Sequence, residues 1–327
     1  MSNLETEPAE IVCDTTPTAD ADAAVVILQP RDVPLGGPRA MDVRRTLPQR
    51  ERSLIGAWCF VDHYGPDDVS VTGGMVVPPH PHTGLQTASW LFAGEVEHRD
   101  SVGSLALVRP GELNLMTSGA GISHSEVSTP NTTTLHGVQL WIALPELTRH
   151  QPPRFENHVI APVRRNGVTL HVFLGTLAGQ TATASADTPL LGAQIDLAAG
   201  SSIDLDVDPS FEHGMLVDAG VVGFAGTAVN PSELGFVEVG RSRIRLENLG
   251  EGPARVVLLG GEPLGEQIVM WWNFIGRSHD EVTAWRAQWQ AEVIEGADAA
   301  GRFGQVAYHG AALPAPALPN VRLKPRR

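Results

Sequence analysis

Cysteine is almost absent, with only Cys13 and Cys59 among 327 residues. A disulfide framework is therefore excluded, and Cys59, inside an apolar run, is expected to serve as a small buried hydrophobe. Basic residues are scarce too. The 23 Lys and Arg stand against 37 Asp and Glu for a formal charge of −14, and no basic residue precedes Arg31. Binding to nucleic acid depends on clustered cations that displace counterions, so direct nucleic-acid contact is not expected. Long apolar runs are missing as well. No stretch reaches the ~20 residues of a membrane span, and the start of the chain lacks a basic segment followed by an apolar one. The expectation is a cytoplasmic protein without membrane contact.

What is present suits a globular protein. Hydrophobic residues make up 42% of the chain, and the length exceeds what one core organises, which favours two domains of roughly 130 residues. Residues 1–29 read as a disordered acidic tail with a candidate first strand at 23–28. Residues 299–327, with Pro314, Pro316 and Pro319 ahead of Arg322, Lys324, Arg326 and Arg327, read as an extended, solvated tail. Between them, short β-branched and aromatic runs alternate with Gly, Pro, Asn and Asp, as at 105–108, 138–144 and 170–174. A second series runs through 192–197, 202–207, 215–224, 235–239 and 255–259. This pattern predicts an all-β chain of two sandwich or barrel units, spanning 30–150 and 151–298. One helix follows: Ser278 and Glu281 form a capping box, and Val282, Trp285, Trp289 and Val293 make a packing stripe.

The segment richest in chemistry is Pro78-Pro79-His80-Pro81-His82-Thr83-Gly84. Residues two apart on a strand share a face, so His80 and His82 present two imidazoles together. Alone, such a pair also occurs on exposed strands. His124 and Glu126 repeat the spacing. If the two strands face each other in a small barrel, three imidazoles and a carboxylate converge, and burying that carboxylate without a cation is costly. One divalent metal ion on His80, His82, His124 and Glu126 is the expectation. His98, Arg99 and Asp100 end a strand beside a turn and read as a solvated polar cluster, with a place at the mouth of the site as the alternative. His63 beside Asp62 reads either as support for the site or as a hydrogen-bonded structural histidine, and His136 as a candidate for the cavity wall.

His80-Pro81-His82-Thr83-Gly84, the 95–101 segment, Arg109-Pro110-Gly111-Glu112, Gly121-Ile122-Ser123-His124-Ser125-Glu126 and Gln139-Leu140-Trp141 together resemble the pirin family of the cupin superfamily. The segments 58–63 and 260–266 extend the resemblance from about Arg44 to Gln290. It implies two tandem cupin-type β-barrels, a bicupin, with a single iron site in the first barrel on the same four residues. The second barrel is expected to lack a metal. Its Glu212 and His213 are adjacent and point to opposite faces, so they cannot repeat the first site. The chain departs from the family at Gln86, where a glutamate is usual. Four residues after His82, it falls on the same face if Gly84 makes no bulge, as a candidate supporting residue that cannot serve as a base.

A divalent ion with one carboxylate keeps a net positive charge, which favours a small anionic or phenolic ligand. The resemblance implies an iron-dependent dioxygenase of the quercetin 2,3-dioxygenase type, with Fe(II) as cofactor and a flavonol opened by dioxygen with loss of carbon monoxide. Mn, Ni, Cu or Zn suit the same donors. The alternative is a non-catalytic, redox-responsive iron protein that regulates a protein partner.

Overall fold

The computed structural model describes residues 11–13, 24–35 and 41–323. Its strands form two β-barrels of matching make-up, each a seven-stranded sheet closed by a four-stranded one. In the first barrel the large sheet runs Arg154–Val159, Glu112–Thr117, Leu85–Ala93, Thr134–Ala143, Trp58–Asp68, Met41–Leu47 and Arg31–Leu35. The small sheet runs Val76–His82, Ile122–Ser128, Val96–Asp100 and Leu105–Val108. The second barrel places Leu190–Leu197, Ala254–Gly261 and Glu212–Ala219 at the centre of its large sheet.

Side chains alternate across a strand, so register decides which residues serve which face. On the first large sheet, Ala88, Trp90, Leu140 and Ile142 turn outward and join Phe173, Leu174, Leu216 and Val257 of the second barrel in one buried cluster. Trp90 Nε1 donates to Gln194 Oε1 at 2.7 Å, and Trp58 Nε1 lies 3.2 Å from the Leu191 carbonyl and 3.1 Å from that of Gly260. The barrels therefore share a core. Inside the second barrel the packing is apolar, with Ala193, Ile195, Met215, Val256 and Leu258 against Val222 and Ile244. The middle of the first is polar instead: Arg45, Asp62, His80, His82, His124 and Glu126 are all buried there.

Two edge strands cross the expected division near residue 150. Val26–Leu28 pairs with Leu234–Val237 in the second barrel, and Arg154–Val159 pairs with Glu112–Thr117 in the first. The amino-terminal segment is not wholly without structure either, since Ile11–Cys13 forms a strand against Ile268–Trp271. The remainder of 1–23 lies outside the described residues.

The helix forms at His279–Trp289 as its signals predict. Ser278 Oγ accepts the Glu281 N–H at 3.2 Å, while Glu281 Oε2 accepts from the Arg277 N–H at 2.6 Å, one residue before the usual capping-box partner. Val282, Trp285 and Trp289 are buried, so the stripe is a packing face. The segment after it is not the solvated tail expected. Phe303 and Leu323 are buried, Ser123 Oγ donates to the Phe303 carbonyl at 2.9 Å, and the Leu313 N–H donates to the Pro79 carbonyl at 2.8 Å. Apolar residues spaced among the prolines strap this segment across the outside of the small sheet.

Candidate metal centre

The small sheet of the first barrel sets the site. Ile122–Ser128 pairs on one side with Val76–His82, placing His124 opposite His80 and Ile122 opposite His82. On its other side it pairs with Val96–Asp100, placing His124 opposite Asp100 and Glu126 opposite His98. Because paired residues share a face, His80, His82, His98, Asp100, His124 and Glu126 all look inward. The outward neighbours Pro79 and Ser123 carry the carboxy-terminal strap.

His80, His82 and His124 bring one ring nitrogen each to within 4.8 Å of the others, and all three are fully buried. Their ring centroids are 4.3 to 5.1 Å apart. Glu126 is not in that trio; it groups with His124 and His98 instead, after a register shift between His124 and Glu126. The carboxylate therefore reaches the triad through His124, and its Oε1 lies 3.4 Å from Ser89 Oγ.

The donor chemistry fits a divalent ion. His80 Nδ1 lies 2.9 Å from the Pro78 carbonyl and must donate to it, which leaves Nε2 a bare lone pair, buried and without a hydrogen-bond partner. His82 Nε2 and His124 Nε2 stand 3.0 Å apart. Two unprotonated ring nitrogens at that distance repel unless a proton or a cation lies between them. Burial pushes the His80 imidazole down to about 3 and holds His82 and His124 well below the ordinary histidine range, so all three are neutral donors.

His98 and Asp100 correct the sequence reading. Both are 3% exposed, and His98 Nε2 lies 3.2 Å from Asp100 Oδ2. The sequence held the signal, since His98 and Asp100 share the spacing of two that marked the other pairs; the adjacent turn, at 101–104, obscured it. Only Arg99 points outward, to Glu97 at 2.6 Å.

Gln86 is also corrected. Gly84, at φ +70°, ends the small-sheet strand, and Leu85–Ala93 begins in the large sheet. Gln86 there pairs with Thr117 and Ile142 and donates from Nε2 to Thr117 Oγ1 at 2.9 Å. That is the face of Ala88 and Trp90, opposite Thr87 and Ser89. The residue does not line the site, and its lack of a basic function has no bearing on the chemistry there.

His63 and His136 leave the site too. Their Nε2 atoms meet Asp218 Oδ1 of the second barrel at 2.7 and 2.6 Å. Arg44 Nη2 lies 3.4 Å from His63 Nε2 and Arg255 Nη1 3.4 Å from Asp218 Oδ2, so positive charge already balances the carboxylate. This group is a clasp between barrels. Asp62 points the other way, paired at 2.6 and 2.8 Å with Arg45. Glu212 and His213 do face opposite sides, as their adjacency requires: Glu212 accepts the Gly56 N–H at 2.7 Å between the barrels, and His213 shares its face with Met215 inside the second.

The inner face of the large sheet closes the cavity. Ser89 Oγ donates to Gln139 Oε1 at 2.8 Å, and Trp141 meets the His82 ring edge-on at 5.1 Å. Gln139 Nε2, Asn114 Nδ2 and Trp141 Nε1 are buried donors without a hydrogen-bond acceptor. Sequence reasoning did not mark Ser89 or Asn114, which carry no motif; only the sheet register brings them to the site.

Comparison with known proteins agrees with the two-barrel fold. Residues 40–142 match the family model described as Pirin, and residues 192–295 match that of the Pirin C-terminal cupin domain. A Pseudomonas aeruginosa protein named "Putative quercetin 2,3-dioxygenase" is 42% identical over 291 residues, 88% of this chain and 89% of that protein. A pirin-like protein of Caulobacter vibrioides is 33% identical over 76% of this chain and 88% of its own length. The crystal structure of a quercetin 2,3-dioxygenase from Acinetobacter baumannii is 36% identical with a TM-score of 0.84, covering 93% of this chain and 99% of that one. A nickel(II) complex of a bacterial pirin from Escherichia coli, 19% identical with a TM-score of 0.57, shares the fold over 73% of this chain and 100% of its own.

Proposed function

We infer, for a chain that belongs to the pirin family, that it is a metal-dependent dioxygenase acting on a flavonol-type phenol. The ligand set proposed is His80, His82, His124 and Glu126, and the ion proposed is Fe(II), because dioxygen chemistry calls for a redox-active metal. When bound, that ion would acidify the substrate hydroxyl and activate the ring toward dioxygen.

The observation that carries the substrate class is the trio of unsatisfied donors on Asn114, Gln139 and Trp141. A buried donor without an acceptor costs about 1–3 kcal/mol, and a ligand rich in carbonyl and phenolate oxygens supplies the acceptors. These three side chains bind and orient the substrate; Trp141 and Met116, both buried, provide the apolar wall for an aromatic ring. Glu126 and Ser89 form the hydrogen-bonded edge on which the substrate's hydroxyl proton can be held. A glutamine in place of a site base would favour the non-catalytic reading, but Gln86 bonds to Thr117 outside the site.

Elemental analysis of protein purified without added metal, beside a His80→Ala/Glu126→Ala double variant, tests the ligand set. About one equivalent of iron in the parent, lost in the variant, is expected; equal content in both overturns the assignment. Anaerobic titration of the iron form with quercetin tests the substrate: a new charge-transfer band is expected, and an unchanged spectrum at saturation removes the flavonol.

A further inference from the structure

Asp100 ends the Val96–Asp100 strand, and its carboxylate is fixed from behind. Oδ1 accepts the Val102 N–H at 3.0 Å and the Ser104 N–H at 2.9 Å, which leaves Oδ2 to face His98 Nε2 at 3.2 Å. A carboxylate only accepts, so His98 Nε2 carries the proton. With a single ring proton, held at Nε2, the His98 Nδ1 is a lone pair. It lies 3.3 Å from His124 Nδ1, which must carry a proton in turn. His124 Nε2 is thereby left bare, facing His82 Nε2. The His98 ring is held in plane by Phe155, stacked at 4.5 Å and 18°. Because His98 and Asp100 are both 3% exposed, bulk water offers little competition to this order.

We propose that Asp100 and His98 are positioning residues that set the tautomer of His124, keeping its metal-facing nitrogen free of a proton. His80 reaches the same state by a different route, through the carbonyl of Pro78. The chain of hydrogen bonds runs in one direction only, from metal-facing ring to carboxylate, and its direction is decided at Asp100. The proposal rests on the metal reading of the triad, yet the tautomer can be measured without any metal.

The test is Asp100→Asn. Its carboxamide oxygen can keep the two turn N–H groups, which turns the NH2 toward His98 Nε2. His98 must then accept there and donate from Nδ1, and His124 must accept at Nδ1 and carry its proton on Nε2. One atom replaced two residues away reverses the whole chain. Nitrogen-15 NMR of the metal-free protein is expected to find His124 protonated on Nδ1 in the parent and on Nε2 in the variant. Zn(II) affinity, measured by competition with a chelator, is expected to fall roughly 10–100-fold. His98→Gln, whose amide can donate to Asp100 and accept from His124, is expected to preserve both the tautomer and the affinity. A parent protonated on Nε2, or an Asp100→Asn protein with unchanged tautomer and affinity, overturns the proposal. Should that variant fail to fold, the parent tautomer and the His98→Gln affinity still decide. Zn(II) that does not bind the parent at all overturns the metal reading instead, while the tautomer result stands by itself.

Discussion

Burial pushes the Glu212 carboxyl up from 4.5 to about 7, against the opposing effects of the Gly56 N–H and Arg52. The adjacent His213 is pushed by burial down from 6.5 to about 4. A raised carboxyl contributes stability at low pH that is lost as pH rises between about 4.5 and 7, since the native state then holds a proton the unfolded chain has released. A depressed imidazole does the reverse: its contribution is present above about 6.5 and lost as pH falls toward 4. Each difference amounts to about 3 kcal/mol, and between pH 4.5 and 6.5 the two nearly cancel. Single variants separate them. Urea unfolding of Glu212→Gln should gain stability with rising pH across that window, and unfolding of His213→Gln should lose it. Parallel slopes in parent and variants would show that neither group titrates there. The opposite-face placement of these residues was legible from their adjacency alone. Their burial was not, because nothing local tells a chain which strand end a neighbouring barrel will cover.

Gly84 is where the sequence reading of Gln86 fails. Spacing of four implies a common face only along one continuous strand, and Gly84 adopts φ +70° between strands of different sheets. A Cβ at that position would stand 2.1 Å from the Ile275 carbonyl. Gly84→Ala is therefore expected to cost about 3 kcal/mol or more, from left-handed backbone strain plus displacement of Ile275, as read from thermal unfolding. The two histidine pairs were legible because period-two alternation survives within each strand. His98 and Asp100 obey the same rule and were passed over for the turn that follows them. The buried Arg45–Asp62 pair left no sequence signature, since it joins neighbouring strands. Asp62→Ala breaks this buried two-point ion pair inside the first barrel and should destabilise by about 3–5 kcal/mol in chemical denaturation, whereas replacing both members with apolar residues should cost much less.

Across the whole molecule, neither barrel completes its own surface. Among the described residues, the outward face carrying Trp90, Leu113 and Leu140 is covered by the second barrel, and the outer side of the small sheet by residues beyond the helix. Two domains could be counted from length and strand rhythm, but their shared core depends on contacts more than a hundred residues apart, such as Trp90 with Gln194. A fragment ending at residue 150 should expose that apolar face and aggregate, which size-exclusion chromatography would reveal. Phe303→Ala should lower stability by about 3–5 kcal/mol while keeping the fold, because the strap then loses its one fully buried ring. A variant as stable as the parent would mean that the strap only rests on the sheet.

The strap has a consequence in time. During synthesis a chain emerges from its amino terminus at roughly 5–20 residues per second, and domains generally fold as units in that order. The strands bearing His80, His82, His98 and His124 leave the ribosome nearly two hundred residues before Phe303 and Leu313, which later bond to Ser123 and to Pro79. For that interval, of order ten seconds or more, the wall behind the histidines has no outer cover. Closure of that wall waits for residues 303–313, so the strap joins strands that were made well before it.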